Sequence, residues 1–247
     1  MVNALCVVMI RPTHEIAEFY NGFTKYSIVF VLDDMEFDCS EFRDKYKNIE
    51  FVQIPNEVCA IHGYKGSSYM PTSSIQLNEI IAWDRAIYYF CCLQYQYNHV
   101  WFLEEDVFIY GEETIENLDC KYIEDDLLCR DMTPEPRPGE WEWFWPCVSL
   151  PFQGPHFRSM ICAVRMSNIM LQYISGYIDT YRKMTFIEAF FPSLAFHYQL
   201  KIDTPCEFEK IEWRRDWTDV DISTTDIVHP MKDHMKQTEK RSSLIER

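Results

Sequence analysis

The sequence predicts an α/β protein, one domain built on a mainly parallel central sheet flanked by helices, and three observations predict it. Apolar, β-branched runs at Ala4 to Ile10, Ser27 to Leu32 and Ile49 to Ile54 have the length of strands. Each ends in polar or turn-forming residues, Arg11-Pro12-Thr13, Asp33-Asp34 and Pro55-Asn56, and the intervals are long enough for crossover helices. The chain has 247 residues, 47% hydrophobic with only 7 glycines, which suits one packed core and excludes a disordered or fibrous protein. A doubly wound sheet of this kind binds ligands at the carboxyl ends of its strands.

After the three strands, SSIQLNEIIAWDRAIYYFCCLQYQ predicts a long helix from Ser73, with Ser73 as N-cap and Gln76 three residues on. Leu77, Ile80, Ile81, Ile87 and Cys91 mark its apolar stripe, and Asp84 falls on it. An acid there needs a ligand or an internal partner such as a nearby Arg, or it turns outward. His99 to Leu103 is again strand-like and runs into Glu104-Glu105-Asp106, followed by the apolar piece Val107-Phe108-Ile109. Residues 111–146 read as a long irregular loop, acidic and then rich in proline and tryptophan, and a loop of that length in a compact domain is commonly functional. A strand at Met160 to Val164 precedes a helix from Ser167, and a second helical segment, TFIEAFFPSLAFHYQL, starts at Thr185. The stretch after Asp203 is polar, with DIVHPMKD its chemically pointed part, and no internal repeat is visible.

A net charge of −16 argues against a nucleic acid or an anionic membrane surface as partner, since like charges repel across the whole face. It suits a divalent cation, and it equally keeps a surface soluble. The ten cysteines are scattered without CxxC spacing. The N-terminus has no basic segment or small-residue cleavage site, and no run approaches the roughly 20 apolar residues of a membrane span. The expectation is a soluble, cytoplasmic protein whose cysteines are mostly buried as small hydrophobes.

Phosphate loops of the GxxxxGK[ST] type, GxGxxG, GxSxG and HExxH are absent from the sequence. What remains are four constellations. Glu104-Glu105-Asp106 ends an apolar strand, where carboxylates packed side by side need a compensating charge, and Mg²⁺ or Mn²⁺ would satisfy them; an exposed acidic turn is the other reading. His229, with Lys232 three residues on, could turn an imidazole to a metal and an ammonium to a phosphate, or be an ordinary core or surface histidine. Glu188 is either a general base or the fourth residue of a capping box with Thr185, and Pro192 would break the helix beyond it. Arg11, Asp33, Asp34 and Lys65 lie at strand tips or in the HGYKG loop, where they could hold a base, ribose and phosphates, although paired aspartates also simply form turns.

The triplet in WFLEEDVFI, about a hundred residues after an N-terminal βαβ unit, resembles the DxD motif of GT-A glycosyltransferases, with Glu104 where that family has Asp first. HPMKD resembles the late histidine of those enzymes, and FIEAFFPSLA their segment bearing a catalytic acid. The whole is also similar to glycosyltransferases of algae and large DNA viruses. The resemblance implies a GT-A-like domain over residues 1–247: a Rossmann-like nucleotide-sugar half (1–110), an acceptor and catalytic half (111–235) and a polar tail (236–247). It implies Asp106 and His229 as ligands of Mn²⁺ or Mg²⁺. The donor contacts would be Arg11, Asp33, Asp34, Lys65, Asp84, Glu104, Glu105 and Lys232, with Glu188 as base. The reaction implied is sugar transfer, with inversion, from a UDP- or GDP-sugar to a hydroxyl of a glycan or glycoprotein acceptor, the tryptophans of 131–146 covering that acceptor or plugging the core. A nucleotidyltransferase of sugar phosphates and a non-catalytic carbohydrate-binding domain of the same fold are the competing classes.

Overall fold

The computed structural model describes residues 3–68, 80–94, 96–137, 145, 148–217 and 221–245. In chain order the elements are β1 (Asn3–Met9), α1 (His14–Asn21), β2 (Tyr26–Leu32), α2 (Ser40–Lys45), β3 (Ile49–Val52), α3 (Asn56–His62) and α4 (Ala82–Tyr88). They continue with β4 (His99–Glu104), α5 (Glu112–Lys121), β5 (Leu127–Leu128), β6 (Thr133–Pro134), β7 (Phe157–Arg158) and β8 (Ala163–Ser167). The last are α6 (Asn168–Tyr181), α7 (Ile187–His197), β9 (Ile202–Asp203) and α8 (His234–Ile245).

Seven strands form one sheet in the order β3-β2-β1-β4-β8-β5-β9. β3, β2, β1 and β4 run parallel, β8 runs antiparallel to both β4 and β5, and β5 is parallel to β9. This is the expected mainly parallel α/β architecture. Both faces are covered, and the side-chain period of two divides each central strand between two cores. Ala4, Cys6, Val8, Val100 and Phe102 face α4, α6 and α7. Leu5, Val7, Met9, Trp101 and Leu103 face α1 and α5. The neighbours of β1 lead away in opposite directions, so a crevice opens beyond the carboxyl ends of β1 and β4. The acidic triplet stands at its edge.

Several elements differ from expectation. Residues 111–146 are not a single irregular loop: Glu112–Lys121 is helical. Glu112 and Glu113 occupy its first turn, where they complement the helix dipole, and Ile115 and Leu118 supply its buried face. The helix foreseen from Ser73 begins at Ala82, because Ile81 is extended (φ −126°, ψ 178°); Ser73 and Gln76 lie outside the described residues. The strand foreseen at Met160 to Val164 is found at Ala163–Ser167, where pairing of Leu103 with Ala163 and of His99 with Ser167 sets its register. Residues 236–245, read as a polar tail, carry α8. Its Arg241 lies 3.5 Å over the Phe19 ring and donates to Ile109 O at 2.9 Å.

The nine described cysteines are free, five of them buried. No described helix is long and apolar enough to cross a membrane.

Beneath the sheet, Asp119 of α5 gathers Asn3 Nδ2, Tyr26 Oη, Trp101 Nε1 and Arg165 Nη1 within 2.7–3.0 Å. Arg165 is fully buried and also donates to Tyr122 O and Asp125 O. Removing Asp119 leaves that guanidinium without its counter-charge. Asp119→Ala is therefore expected to destabilise the fold by about 3–5 kcal/mol in urea unfolding, more than an ordinary core truncation of similar size.

Candidate active site

The triplet is shared between two cavities. Glu104 ends β4 on the α4 side, and its Oε1 accepts from Trp83 Nε1 at 2.9 Å. Glu105 and Asp106 form the turn after the strand. Glu104 and Asp106 line a cleft of about 370 Å³, and Glu105 and Asp106 a neighbouring cavity of about 600 Å³. Asp106 thus stands where the two cavities meet.

His229 arrives from the far end of the sequence. Phe108 and Val228 exchange both backbone hydrogen bonds, at 2.8 and 3.0 Å, and Met231 N donates to Asp106 O at 2.7 Å. These bonds fasten the His229 segment alongside the acidic turn. His229 Nε2 then lies 3.3 Å from Asp106 Oδ1 and 3.8 Å from Glu104 Oε2. One ligand atom from each of Glu104, Asp106 and His229 falls within 4.8 Å of the others. The other ring nitrogen, Nδ1, lies 3.1 Å from Glu212 O. Since a carbonyl can only accept, Nδ1 carries the proton, and in the neutral ring the Nε2 lone pair faces the carboxylates. Two carboxylate oxygens and an imidazole nitrogen so arranged fit a hard or borderline divalent cation.

The electrostatics point the same way. Burial raises the Glu104 carboxyl, and neighbouring Asp106 adds to it. Burial, with Asp106 and Glu104 beside it, pushes Glu105 up to about 7. Burial pulls His229 down, but the hydrogen bond and charge of Asp106 and the charge of Glu104 outweigh it, so the imidazole is raised. Negative charge is crowded here beyond what the side chains alone neutralise.

Glu188 lines the same 370 Å³ cleft from the first turn of α7. Its capping-box reading is not what forms: α7 has no side-chain cap, and Thr185 Oγ1 donates to Ser149 O instead. Nor does Pro192 break the helix. It lies inside α7, where its missing N–H frees the carbonyl four residues back, that of Glu188, and Ser159 N donates to that oxygen at 2.9 Å. Burial first, then the charge of Glu104, pushes the Glu188 carboxyl up to about 7.

The remaining expected residues are distributed around this centre. Lys232 lines both the cleft and the 600 Å³ cavity, which also holds Arg11 and Glu105. Arg11 pairs with Asp34, whose Oδ1 also accepts from Glu36 N in a turn. Asp33 pairs with the buried Arg85, and Asp33 and Asp34 line a separate cavity of about 520 Å³ at the tip of β2. Asp84 is not brought to the cleft surface. It is fully buried, accepts from Ser67 N, Ser67 Oγ and Ile81 N, and is pushed up to about 6 by burial. The internal-partner reading therefore describes it, and the partners are Ser67 and the start of α4. Lys65 is not among the cleft-lining residues; its carbonyl accepts from Met184 N. Of the tryptophans expected to meet an acceptor, Trp145 is buried, while Trp141 and Trp143 lie outside the described residues.

Sequence reasoning missed Trp83, Trp213 and Arg214, all of which line the cleft. Trp83 has no local signal, since only the fold sets it opposite Glu104. WRRDW, at residues 213–217, is a cationic and aromatic cluster in an acidic chain and could have been singled out.

No protein-family model matches the chain, and no curated protein matches it. Among solved structures it is similar to mouse xyloside xylosyltransferase 1 in its apo form, with a TM-score of 0.42 and 11% identity over 83% of this chain and 86% of that one. It is also similar to A197 from STIV, with a TM-score of 0.31 and 12% identity over 75% and 82%. Both likenesses are distant, and the chemistry of this chain is read from its own side chains.

Trp83→Phe keeps the ring packed against Phe102 and Phe191 but removes the donor to Glu104. Calorimetric titration with Mn²⁺ is expected to show binding 10- to 100-fold weaker than in the parent protein, as for other groups that orient a metal ligand.

Proposed function

We propose that this protein is a metal-dependent glycosyltransferase that moves a sugar from a UDP- or GDP-sugar to a hydroxyl of a glycan or glycoprotein acceptor, with Glu188 as general base and inversion at the anomeric carbon. One observation carries the reading: a cation-competent Glu104, Asp106 and His229 group, an ammonium from Lys232 and a half-buried carboxylate from Glu188 meet in one cleft.

Mn²⁺ or Mg²⁺ held by Asp106, His229 and Glu104 would supply positive charge for the donor diphosphate and its leaving group. Lys232 lies where the cleft and the 600 Å³ cavity meet, so its ammonium can bind a phosphate oxygen spanning the two. Arg11 and Glu105 in that larger cavity are suited to hold the nucleoside end, the carboxylate accepting from ribose hydroxyls. The sugar then falls in the 370 Å³ cleft, within the size range of small-ligand sites. Glu188, with its carboxyl near neutrality, is poised to take the proton of an attacking hydroxyl. Trp213, two-thirds exposed at the cleft wall, offers an aromatic face to a sugar ring.

A thermal-shift series of nucleotide sugars with and without Mn²⁺ tests the reading directly. A UDP- or GDP-sugar is expected to raise the melting temperature only when the metal is present, and no metal-dependent shift with any of them would sink the proposal. Once a donor is in hand, Glu188→Gln should lower kcat by about 10²–10⁴ while leaving metal-dependent nucleotide affinity intact. Because the base must be deprotonated, kcat/KM of the parent is expected to rise with pH through about 7, and the residual rate of the Gln variant should lose that rise.

A further inference from the structure

A further cavity shares only Lys232 with the residues given a chemical role so far. It is a groove of about 810 Å³ between the loop at residues 213–217 and the first turns of α8. Arg214 and Arg215 line one wall, and Lys232, Lys236 and Lys240 the other. Lys236 and Lys240 are four residues apart on α8, so they stand on one helix face in successive turns, with Lys232 before them. Buried Trp217 closes the floor, its Nε1 donating to His229 O at 2.8 Å. Five cationic side chains face three acidic ones, Asp216, Asp233 and Glu239. Asp233 Oδ1 is engaged by the backbone N–H groups of Met235 and Lys236. In a chain of net charge −16, such a concentration of cations is a local reversal of sign.

The groove is continuous with the cleft, because Arg214, Pro230 and Lys232 line both, and exposed Trp213 stands at the junction. A molecule with one hydroxyl at Glu188 can therefore extend past an aromatic face into a cationic channel. A free inorganic anion needs neither that volume nor that ring.

We infer that this groove is an acceptor subsite for an anionic glycan, a saccharide bearing sulfate, phosphate or carboxylate groups. The inference rests on the glycosyltransferase reading for its link to Glu188, but binding in the groove is measurable without donor or metal. Lysines spaced along one helix face suit a chain with repeated charges, and Arg214 opposite supplies a forked donor to sulfate, phosphate or carboxylate oxygens, while Arg215 pairs with Glu212 at 2.8 Å and lies over the Trp217 ring.

The test uses the full chain with EDTA present, titrated calorimetrically with a sulfated tetrasaccharide, with its desulfated counterpart and with inorganic tripolyphosphate. The sulfated sugar is expected to bind at least tenfold more tightly than the desulfated one, and less tightly as salt rises. Lys236→Glu/Lys240→Glu should weaken it tenfold or more, Lys236→Gln/Lys240→Gln by less, and Asp106→Asn should leave it unchanged. Equal affinity for both saccharides, or parental affinity in the charge-reversed variant, overturns the inference; tripolyphosphate binding as tightly as the sulfated sugar reduces the groove to a plain anion site and overturns it too. Metal-dependent stabilisation by a nucleotide sugar, run on the same proteins, reports separately on the donor reading and should survive in the lysine variants. Its absence from every protein would sink the glycosyltransferase reading, whatever the tetrasaccharide does.

Discussion

The architecture turns on one constraint: carboxylates at the end of a buried strand cannot stay charged side by side without an opposing charge. Glu104, Glu105 and Asp106 are consecutive, and Glu188 faces the first and third of them across a cleft of about 370 Å³. The carboxyls of Glu105 and Glu188 are both pushed up to about 7, and Glu104 is raised as well. The fold keeps this crowding and even holds it in place. A cation bound there would turn the repulsion that costs stability in its absence into affinity.

The supports are few and specific. Trp83 holds one oxygen of Glu104 and leaves the other turned to His229. The carbonyl of Glu212 fixes which nitrogen of His229 bears the proton, and Trp217 ties the backbone of the same residue. At Glu188 the device is a missing bond. Pro192 cannot donate to the Glu188 carbonyl, and Ser159 fills the vacancy, so a residue that would ordinarily weaken a helix instead anchors the turn that bears the acid. From the other side, His234 Nε2 at 3.1 Å and Gln237 Nε2 at 3.3 Å contact the carbonyl of Glu105, so α8 braces the acidic turn.

How legible these parts were depends on whether their signal was local. The central strands were readable because runs buried on both faces are continuously apolar, and β1, β2, β3 and β4 lie within a residue or two of expectation. α5 was not, because its acids resemble those of a loop and its buried face rests on only Thr114, Ile115 and Leu118. Asp84 showed the limit of reading burial from periodicity. The stripe correctly marked an acid that needed a partner, but Ser67, seventeen residues away, was the partner.

By itself the sequence determined the α/β class, the acidic triplet at a strand end, the late HPMKD histidine and a second acid on a later helix, because each is written in residues adjacent along the chain. Tertiary structure alone decided which acids share a face with His229. It also decided that Glu188 is freed from capping to line the cleft, that Trp83 holds Glu104 and that five cations gather beside Lys232. Those outcomes depend on contacts between segments up to some 120 residues apart, such as the pairing of Phe108 with Val228, and no local pattern encodes where two distant turns will meet.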